Sequence, residues 1–501
     1  MPCTTLLVGK KASYDGSTII ARNEDSPSGV FEPKKFVVVE PSQQPRHYVS
    51  VLGHTAIDLP DNPMRYTALP NAIATDGIWA AAGVNTANVA MSATETLTTN
   101  ERVLGADPFV SFVPAQGEPG QAGYVPEQPG GISEEDMVTI TLPYVRSARE
   151  GVRRLGSLLQ EFGTYEMNGI AFSDLDEVWW LETVGGHHWI ARRVPDDAYV
   201  TMPNQLGIDQ FDLDDALGPQ ENFMCSPDLR EFVLANHPDL SLDGQLNPRD
   251  AFGSHSDADH VYNTPRAWVM QRFLNPHSNI WDGPDADYRP EDDDIPWCRV
   301  PERKVTIEDV KYALSLHYQG TPFDPYGTHG PSDRRGAYRP IGINRNSQLH
   351  VIQLRPYEPE ATRALEWLAF SSNAFNALVP FYANVDRTPE YLANTTAHVT
   401  TESFYWANRI VAGLADAHFS ACAPHVERYQ QAVPARAYQV LRATDAAVRE
   451  DGTGYCEAAA TLAAANDQIA AMLREETDKL LDNVLLTAGN GMRNGFSRSD
   501  G

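Results

Sequence analysis

The chain has 501 residues, of which 42% are hydrophobic, so it can bury a large core in several domains or in one domain with insertions. Asp and Glu total 67 against 39 Lys and Arg, which gives a formal net charge of −28. A surface of this sign repels nucleic acid and anionic membranes, and we expect neither as a partner.

The first predicted elements are two strands joined by a turn. Residues 3–9 and 17–22 are rich in β-branched and apolar side chains, and Asp15-Gly16 between them is a tight-turn signal. This pattern predicts an antiparallel pair at the start of the chain. Further short strands are predicted at residues 35–40, 77–83 and 89–94.

Cys3 opens the first of these strands. If Met1 and Pro2 are removed, Cys3 gains a free α-amine with a pKa near ~7.7–8, which can take the proton of its own thiol. One residue then supplies both a nucleophile and its general base. Without that removal, Cys3 is an ordinary small apolar residue of a strand.

Later segments alternate between strands and helices without the regular order of a parallel sheet. Residues 147–161 and 457–486 fit helices, whereas 169–192 and 348–355 fit strands. Strands grouped with helices in this way predict an α+β fold. We expect a core over residues 1–360 and a mainly helical region over 361–501 packed on it. Surface loops are expected to interrupt the core at about 107–132, 281–303 and 321–340.

The five cysteines, at positions 3, 225, 298, 422 and 456, show no spacing typical of a metal site. Their odd number in a long chain argues against a disulfide framework. The chain opens without the pattern of a secretory signal, and no apolar run approaches the ~18–20 residues of a membrane span. These features predict a cytoplasmic protein with neither a metal nor another cofactor.

The opening segment is similar to a known family. Cys3-Thr4-Thr5, Asp15-Gly16-Ser17-Thr18 and Ala21-Arg22-Asn23-Glu24-Asp25 together resemble the dipeptidase A family of cysteine N-terminal-nucleophile (Ntn) hydrolases, which is related to penicillin V acylase and bile-salt hydrolase. The resemblance implies a four-layer αββα sandwich and an autocatalytically exposed N-terminal cysteine. It also implies hydrolysis of dipeptides with broad side-chain specificity. We further expect a homo-oligomer. Weaker matches follow at 83–85, 91–96, 180–189, 204–205, 262–266 and 367–384.

The resemblance assigns catalytic roles to five residues. Cys3 is the nucleophile, Arg22 favours its thiolate, and Asp25 orients the α-amine. Asn204 donates its side-chain amide to the oxyanion. Arg266 closes the charge network around the cysteine. From the residues alone, Arg22 and Asp25 could equally form a surface pair, and Asn204 a turn.

Two further residues are expected to bind substrate, namely Asn85 and Glu95. The related amidases have an Asn where this chain has Glu95, and a carboxylate cannot donate to an oxyanion unless it is protonated. We therefore expect Glu95 to hold the free α-ammonium of a dipeptide. A partly buried structural Glu is the alternative reading.

Two other functions stay open at this point. An amidase of the penicillin or bile-salt type would share the opening motif. A catalytically inactive protein of the same fold would retain the motif without processing its N-terminus.

Overall fold

The computed structural model describes residues 3–27, 30–452 and 454–492. The expected removal of Met1 and Pro2 lies outside the described residues. The chain forms a mixed α and β structure with several antiparallel sheets and a helical C-terminal region. The α+β prediction is confirmed at this level.

Within the described residues, the strands in chain order are β1 (Cys3–Val8), β2 (Thr18–Asp25), β3 (Val37–Val39), β4 (His47–Val49), β5 (Ala56–Asp58), β6 (Tyr66–Ala68), β7 (Ala82–Val84), β8 (Ala90–Leu97), β9 (Ser111–Val113), β10 (Gln128–Pro129), β11 (Met167–Ser173), β12 (Val178–Thr183), β13 (Trp189–Arg193), β14 (Tyr199–Met202), β15 (Phe223–Cys225), β16 (Cys298–Arg299), β17 (Asn346–Leu354), β18 (Ala364–Phe370) and β19 (Val379–Tyr382).

The α-helices of the same residues are α1 (Glu101–Ala106), α2 (Met137–Thr141), α3 (Ala148–Phe162), α4 (Leu213–Ala216), α5 (Leu229–Asn236), α6 (Pro248–Phe252), α7 (Asp259–Tyr262), α8 (Thr264–Leu274), α9 (Ile307–Ala313), α10 (Glu390–Ala393), α11 (Phe404–Ala415), α12 (Phe419–Asp451) and α13 (Tyr455–Asn490).

A seven-stranded sheet carries the start of the chain at its centre, in the order β16-β14-β1-β2-β17-β18-β19. The predicted pair β1–β2 is antiparallel, with Cys3 opposite Glu24 and Thr5 opposite Arg22. Opposite residues of an antiparallel pair project to the same side of the sheet. The register therefore brings the thiol, the guanidinium and the Glu24 carboxylate to one face.

A six-stranded sheet of order β15-β13-β12-β11-β8-β7 faces that side. Leu7 and Ile20 of the first sheet share one apolar cluster with Trp180 and Ile190 of the second. The four side chains are fully buried. Since neighbouring residues of a strand point to opposite faces, the remaining faces of both sheets need other partners.

Helices cover those other faces. Leu6 and Val8 of β1 belong to a cluster that includes Leu473 of α13. Phe172 of β11 packs in a separate cluster with Leu155 of α3. Helix α3 forms where it was predicted, because Ser147 caps its first turn by accepting from the Glu150 amide at 3.2 Å, and apolar side chains recur along one face.

The chain from residue 361 begins with strands rather than helices. Strands β18 and β19 extend the seven-stranded sheet, and the helical part starts at Glu390. The sequence of β18, Ala-Leu-Glu-Trp-Leu-Ala-Phe, combines helix-forming residues with complete burial, so it lacks the alternation that marks a half-exposed strand. The division into two domains stays a prediction.

The three expected loop segments have different structures. Residues 107–132 contain the small β9–β10 pair, and 281–303 contribute β16 to the edge of the seven-stranded sheet. Residues 321–340 hold a single 3₁₀ turn at Ser332–Arg334. Over the described ranges, no helix is both long and apolar enough to cross a membrane.

Replacing Asn466 by Ala should destabilise the fold. Asn466 of α13 is fully buried, accepts from the Tyr382 amide at 2.9 Å and donates to the Tyr382 carbonyl at 3.0 Å. Tyr382 lies in the edge strand β19, so the variant leaves two backbone groups without these partners, at about 1–3 kcal/mol each. Thermal unfolding should show a clearly lower melting temperature. Asn483→Ala, an exposed change on the same helix, is the control, and equal melting temperatures for the two variants would contradict the prediction.

Candidate active site

Cys3 lies at the first position of β1 and is fully buried. Its Sγ accepts a hydrogen bond from Arg22 Nη1 at 3.2 Å. Its backbone nitrogen donates to Asn204 Oδ1 at 3.2 Å. Both polar ends of this residue therefore already have defined partners.

Arg22 is held by a complete set of acceptors. The side chain is 2% exposed, and each of its three nitrogens has a hydrogen-bond partner. The fixed guanidinium thus presents one donor to the sulfur in a constant direction. Its other acceptors are Ser92 Oγ at 3.0 Å, Glu24 Oε2 at 3.4 Å, and the carbonyls of Ala81 at 3.0 Å, Ala93 at 2.7 Å and Thr94 at 2.9 Å.

The thiol of Cys3 is a weak acid in this environment. Burial, with a smaller contribution from the negative charge of Glu95, raises its pKa to about 12 against the opposing charge of Arg22. The expected effect of Arg22 is present, but desolvation outweighs it. A thiol in this state stays protonated near neutral pH, so its reaction as a nucleophile requires a nearby base.

Arg266 comes from the first turn of α8 and is fully buried beside Cys3. It donates to Asn204 Oδ1 at 2.8 Å, to Thr4 Oγ1 at 2.7 Å and to the carbonyl of Cys3. Burial and, to a smaller extent, the charge of Arg339 together lower its pKa to about 10. Because these hydrogen-bond acceptors are uncharged, they do not neutralise the Arg266 guanidinium, and its positive charge favours an anion near Cys3.

Asn204 follows β14 and connects two of these groups. Its Oδ1 accepts from Cys3 and from Arg266, which orients the amide so that Nδ2 donates to the Thr96 carbonyl at 2.9 Å. An amide nitrogen carries two hydrogens, so one donor remains beyond that bond.

Asp25 ends β2 and is fully buried. Its Oδ1 accepts from Asn346 Nδ2 at 2.5 Å, and its Oδ2 accepts from Arg339 Nη2. The nitrogen of Cys3 bonds to Asn204 rather than to Asp25. The expected contact of Asp25 with a free α-amine therefore stays a prediction.

Glu95 lies in β8 and is fully buried in the same group of charges. Its Oε2 accepts from Thr5 Oγ1 at 2.7 Å, whereas Oε1 has no hydrogen-bond partner among the described residues. Burial raises its pKa to about 8, although Arg266, Thr5 and Arg22 oppose the shift. Glu95 is therefore mostly protonated at neutral pH in this arrangement.

Asn85 has a different environment from the one expected for a substrate contact. Its Nδ2 donates to the carbonyls of Leu142 and Val145 at 2.8 and 2.7 Å. Its Oδ1 accepts from the amides of Ala87 and Val89 at 2.9 and 3.2 Å. With its polar atoms bonded to the backbone, Asn85 fixes the turn between β7 and β8, and its expected contact with substrate stays a prediction.

Arg339 is a site residue that the sequence analysis missed. It lies near the end of the segment 321–340, yet it is only 6% exposed and donates to Asp25. No motif surrounds it in the sequence, and a polar loop with several arginines gives no signal for a buried one.

Over the described parts of the chain, no cluster of three or more His, Cys, Asp or Glu is arranged to hold a metal ion.

Comparisons with known proteins identify the family of this chain. Residues 2–432 match the model of peptidase family C69. The chain is 61% identical to a protein named dipeptidase from Bifidobacterium longum and 50% identical to a probable dipeptidase A from Streptococcus pyogenes serotype M3, in each case over 100% of both chains. It is 43% identical to dipeptidase A of Lactobacillus helveticus, over 98% of this chain and 97% of that protein.

These matches place the protein among the cysteine peptidases. It belongs to peptidase family C69, which bears out the resemblance of the opening segment.

Replacing Glu95 by Gln should let the Cys3 thiol ionise at lower pH, because the Glu95 charge raises the pKa of Cys3. Glu95 is itself protonated below pH about 8, so the difference should appear only above that pH. Near pH ~9.5, iodoacetamide should modify Cys3 up to about tenfold faster in the variant, which corresponds to about one unit of pKa. Peptide mapping by mass spectrometry separates Cys3 from the other cysteines.

The matched control for this experiment is Glu118→Gln, which removes the same charge from an exposed loop. It should leave the rate of Cys3 modification unchanged at every pH. Identical pH profiles for Glu95→Gln and the wild type would contradict the prediction.

Proposed function

We propose that this protein is a dipeptidase in which Cys3, freed at the N-terminus, is the nucleophile and its own α-amine is the base. The observation that carries the proposal is the double contact of Cys3, with its sulfur on Arg22 and its nitrogen on Asn204, both at 3.2 Å. The dipeptidases of 61% and 50% identity over the full length support the substrate class.

The first step is attack on the scissile carbonyl carbon. The α-amine takes the proton of the Cys3 thiol as the sulfur–carbon bond forms. The thiol needs this base because its pKa is raised. The second hydrogen of Asn204 Nδ2 can then donate to the oxyanion, a contribution typically worth about 10²–10³ in rate. The carbon–nitrogen bond breaks as the protonated amine gives its proton to the leaving amino acid.

The second step releases the acyl half from the sulfur. Water attacks the thioester carbonyl, the α-amine takes a proton from that water, and the thiol reforms. Arg266 and Arg22 keep the surroundings positive through both steps, since each is buried beside Cys3. Asp25 would accept from the freed amine once the chain before Cys3 is gone. This scheme uses no metal or other cofactor.

The proposal includes the αββα sandwich of the Ntn hydrolases. The three apolar clusters support it, because one lies between the two large sheets and the other two join each sheet to helices. Broad side-chain specificity, a cytoplasmic location and a homo-oligomeric state belong to the same proposal and rest on the sequence.

Glu95 is proposed to bind the free α-ammonium of the dipeptide. Its Oε1 has no hydrogen-bond partner in the described structure, and the charge of Glu95 acts on Cys3. Because an arriving ammonium favours the ionised carboxylate, binding would lower the pKa of Glu95 from about 8. The competing role is donation to the oxyanion by the protonated carboxyl.

The nucleophile is tested with Cys3→Ser and Cys3→Ala. We expect the wild type to start at Cys3 and to hydrolyse a panel of dipeptides, whereas Cys3→Ala should keep Pro2 and lose activity by at least about 10³-fold. Intact-mass measurement and dipeptide turnover give the two readouts. Thiol alkylation should abolish wild-type activity, and chelators should not. Cys456→Ala, an exposed cysteine, is the control.

Four outcomes would contradict this proposal. Full activity with Pro2 still attached, or after complete alkylation of Cys3, would exclude the mechanism. Faster hydrolysis of a fluorogenic acyl amide than of Ala-Ala or Leu-Leu would favour an amidase of the penicillin or bile-salt type. An unprocessed chain without thiol-dependent turnover would indicate an inactive protein of this fold.

The role of Glu95 is tested with Glu95→Gln on dipeptides and on their N-acetylated analogues. Gln can still donate to an oxyanion but carries no charge for an ammonium. We expect kcat/KM to fall about 10- to 100-fold on free dipeptides and far less on the acetylated ones. Equal losses on both substrates would remove the ammonium role.

A further inference from the structure

Arg339 is held rigidly beside the proposed catalytic residues. Its backbone amide donates to the Val261 carbonyl at 3.2 Å, and its carbonyl accepts from the Tyr318 hydroxyl at 2.9 Å. Its guanidinium lies over the ring of Tyr262, 4.7 Å from the centroid, and donates to Asp25 through Nη2. Backbone and side chain are therefore both fixed before substrate arrives.

Two of the three nitrogens of Arg339 have no hydrogen-bond partner in the part of the chain that the structure describes. Nε and Nη1 are buried without an acceptor among the described residues. In Arg22 and Arg266, the two other guanidinium groups of this site, all three nitrogens have partners. Leaving a buried charged donor unsatisfied is costly, and an acceptor supplied by a ligand would remove that cost.

The missing acceptor is best supplied by an anion. Arg339 and Arg266 repel each other in the buried site, since the charge of Arg339 contributes to the lowered pKa of Arg266. Asp25 is the carboxylate in contact with Arg339, and it occupies Nη2 alone. A second carboxylate at Nε or Nη1 would satisfy the donors and reduce the repulsion.

We propose that Arg339 binds the α-carboxylate of the dipeptide, on the leaving-group side of the scissile bond. The assignment rests on the proposed dipeptidase function. A dipeptide carries one such carboxylate, one α-carbon beyond the scissile amide nitrogen, and the charges of Cys3 and Arg339 act on each other across the site. In a tripeptide the carboxylate lies about 3.3–3.6 Å further along the chain, beyond hydrogen-bond reach of the same group. Arg339 thereby sets the length of the substrate.

The test compares Arg339→Gln with the wild type on a dipeptide, its C-terminal amide and the matching tripeptide. We expect kcat/KM on the dipeptide to fall about 10- to 100-fold, mainly through a higher KM. The kcat/KM on the C-terminal amide should change less than about threefold. The preference for a free carboxylate, and for dipeptides over tripeptides, should therefore disappear. Arg339→Lys keeps the charge and should restore part of the preference.

Arg335→Gln is the matched control, because it makes the same change at an exposed arginine of the same segment. It should retain the wild-type preference. Equal losses of Arg339→Gln on dipeptide and amide, with Arg339→Lys no better, would show that Arg339 acts only by holding Asp25 and would overturn the assignment. A wild type that hydrolyses acyl amides but no dipeptide would instead refute the proposed function itself, and the two failures are therefore distinguishable.

Discussion

The contact between the buried Arg22 guanidinium and the Cys3 sulfur depends on both large sheets at once. Arg22 belongs to the seven-stranded sheet, whereas the carbonyls of Ala93 and Thr94 that hold it belong to the six-stranded sheet. A buried charge is tolerated only when its donors are satisfied, so the two sheets must pack in the register that provides these acceptors. The position of the thiol relative to its positive neighbour is thus set by the same packing that forms the core between the sheets.

The charges around Cys3 do not balance locally, and the excess is positive. Glu24 is paired with the buried Lys34, and Asp25 contacts Arg339. Glu95, with its pKa raised to about 8, contributes little negative charge at neutral pH. The hydrogen bonds of Arg266 go to amide, hydroxyl and carbonyl oxygens. In a site of low dielectric constant, such an excess stabilises anions that form or bind there, including an oxyanion and a substrate carboxylate.

Local patterns in the sequence predicted the parts of the fold that local physics determines. The β1–β2 pair, marked by β-branched and apolar residues around a tight turn, and the capped helix α3 form close to the expected bounds. Strand β18 was missed because complete burial removes alternation and its residues favour helices. Cys3 contacts Arg22 and Asn204, two residues to which the resemblance assigns roles, but Arg339 could not be anticipated. It reaches the site through a long loop that holds one short 3₁₀ turn, and the position of such a loop depends on tertiary contacts such as those with Val261 and Tyr318.

The helical C-terminal region also takes part in positioning the site. Arg409 of α11 donates to the carbonyls of Asn344 and Asn346, at 2.6 and 2.8 Å. Asn346 in turn donates to Asp25, which receives the guanidinium of Arg339. These hydrogen bonds form a continuous path from α11, which packs on the seven-stranded sheet, to the end of β2. Asp25 and Arg339 are both buried and polar, so their geometry depends on the hydrogen bonds around them. Helix α11 contributes to these bonds through Arg409 and Asn346, from the side of the sheet opposite the six-stranded sheet. The helices are therefore part of the structure that fixes the charges around Cys3, in addition to covering the apolar face of the sheet.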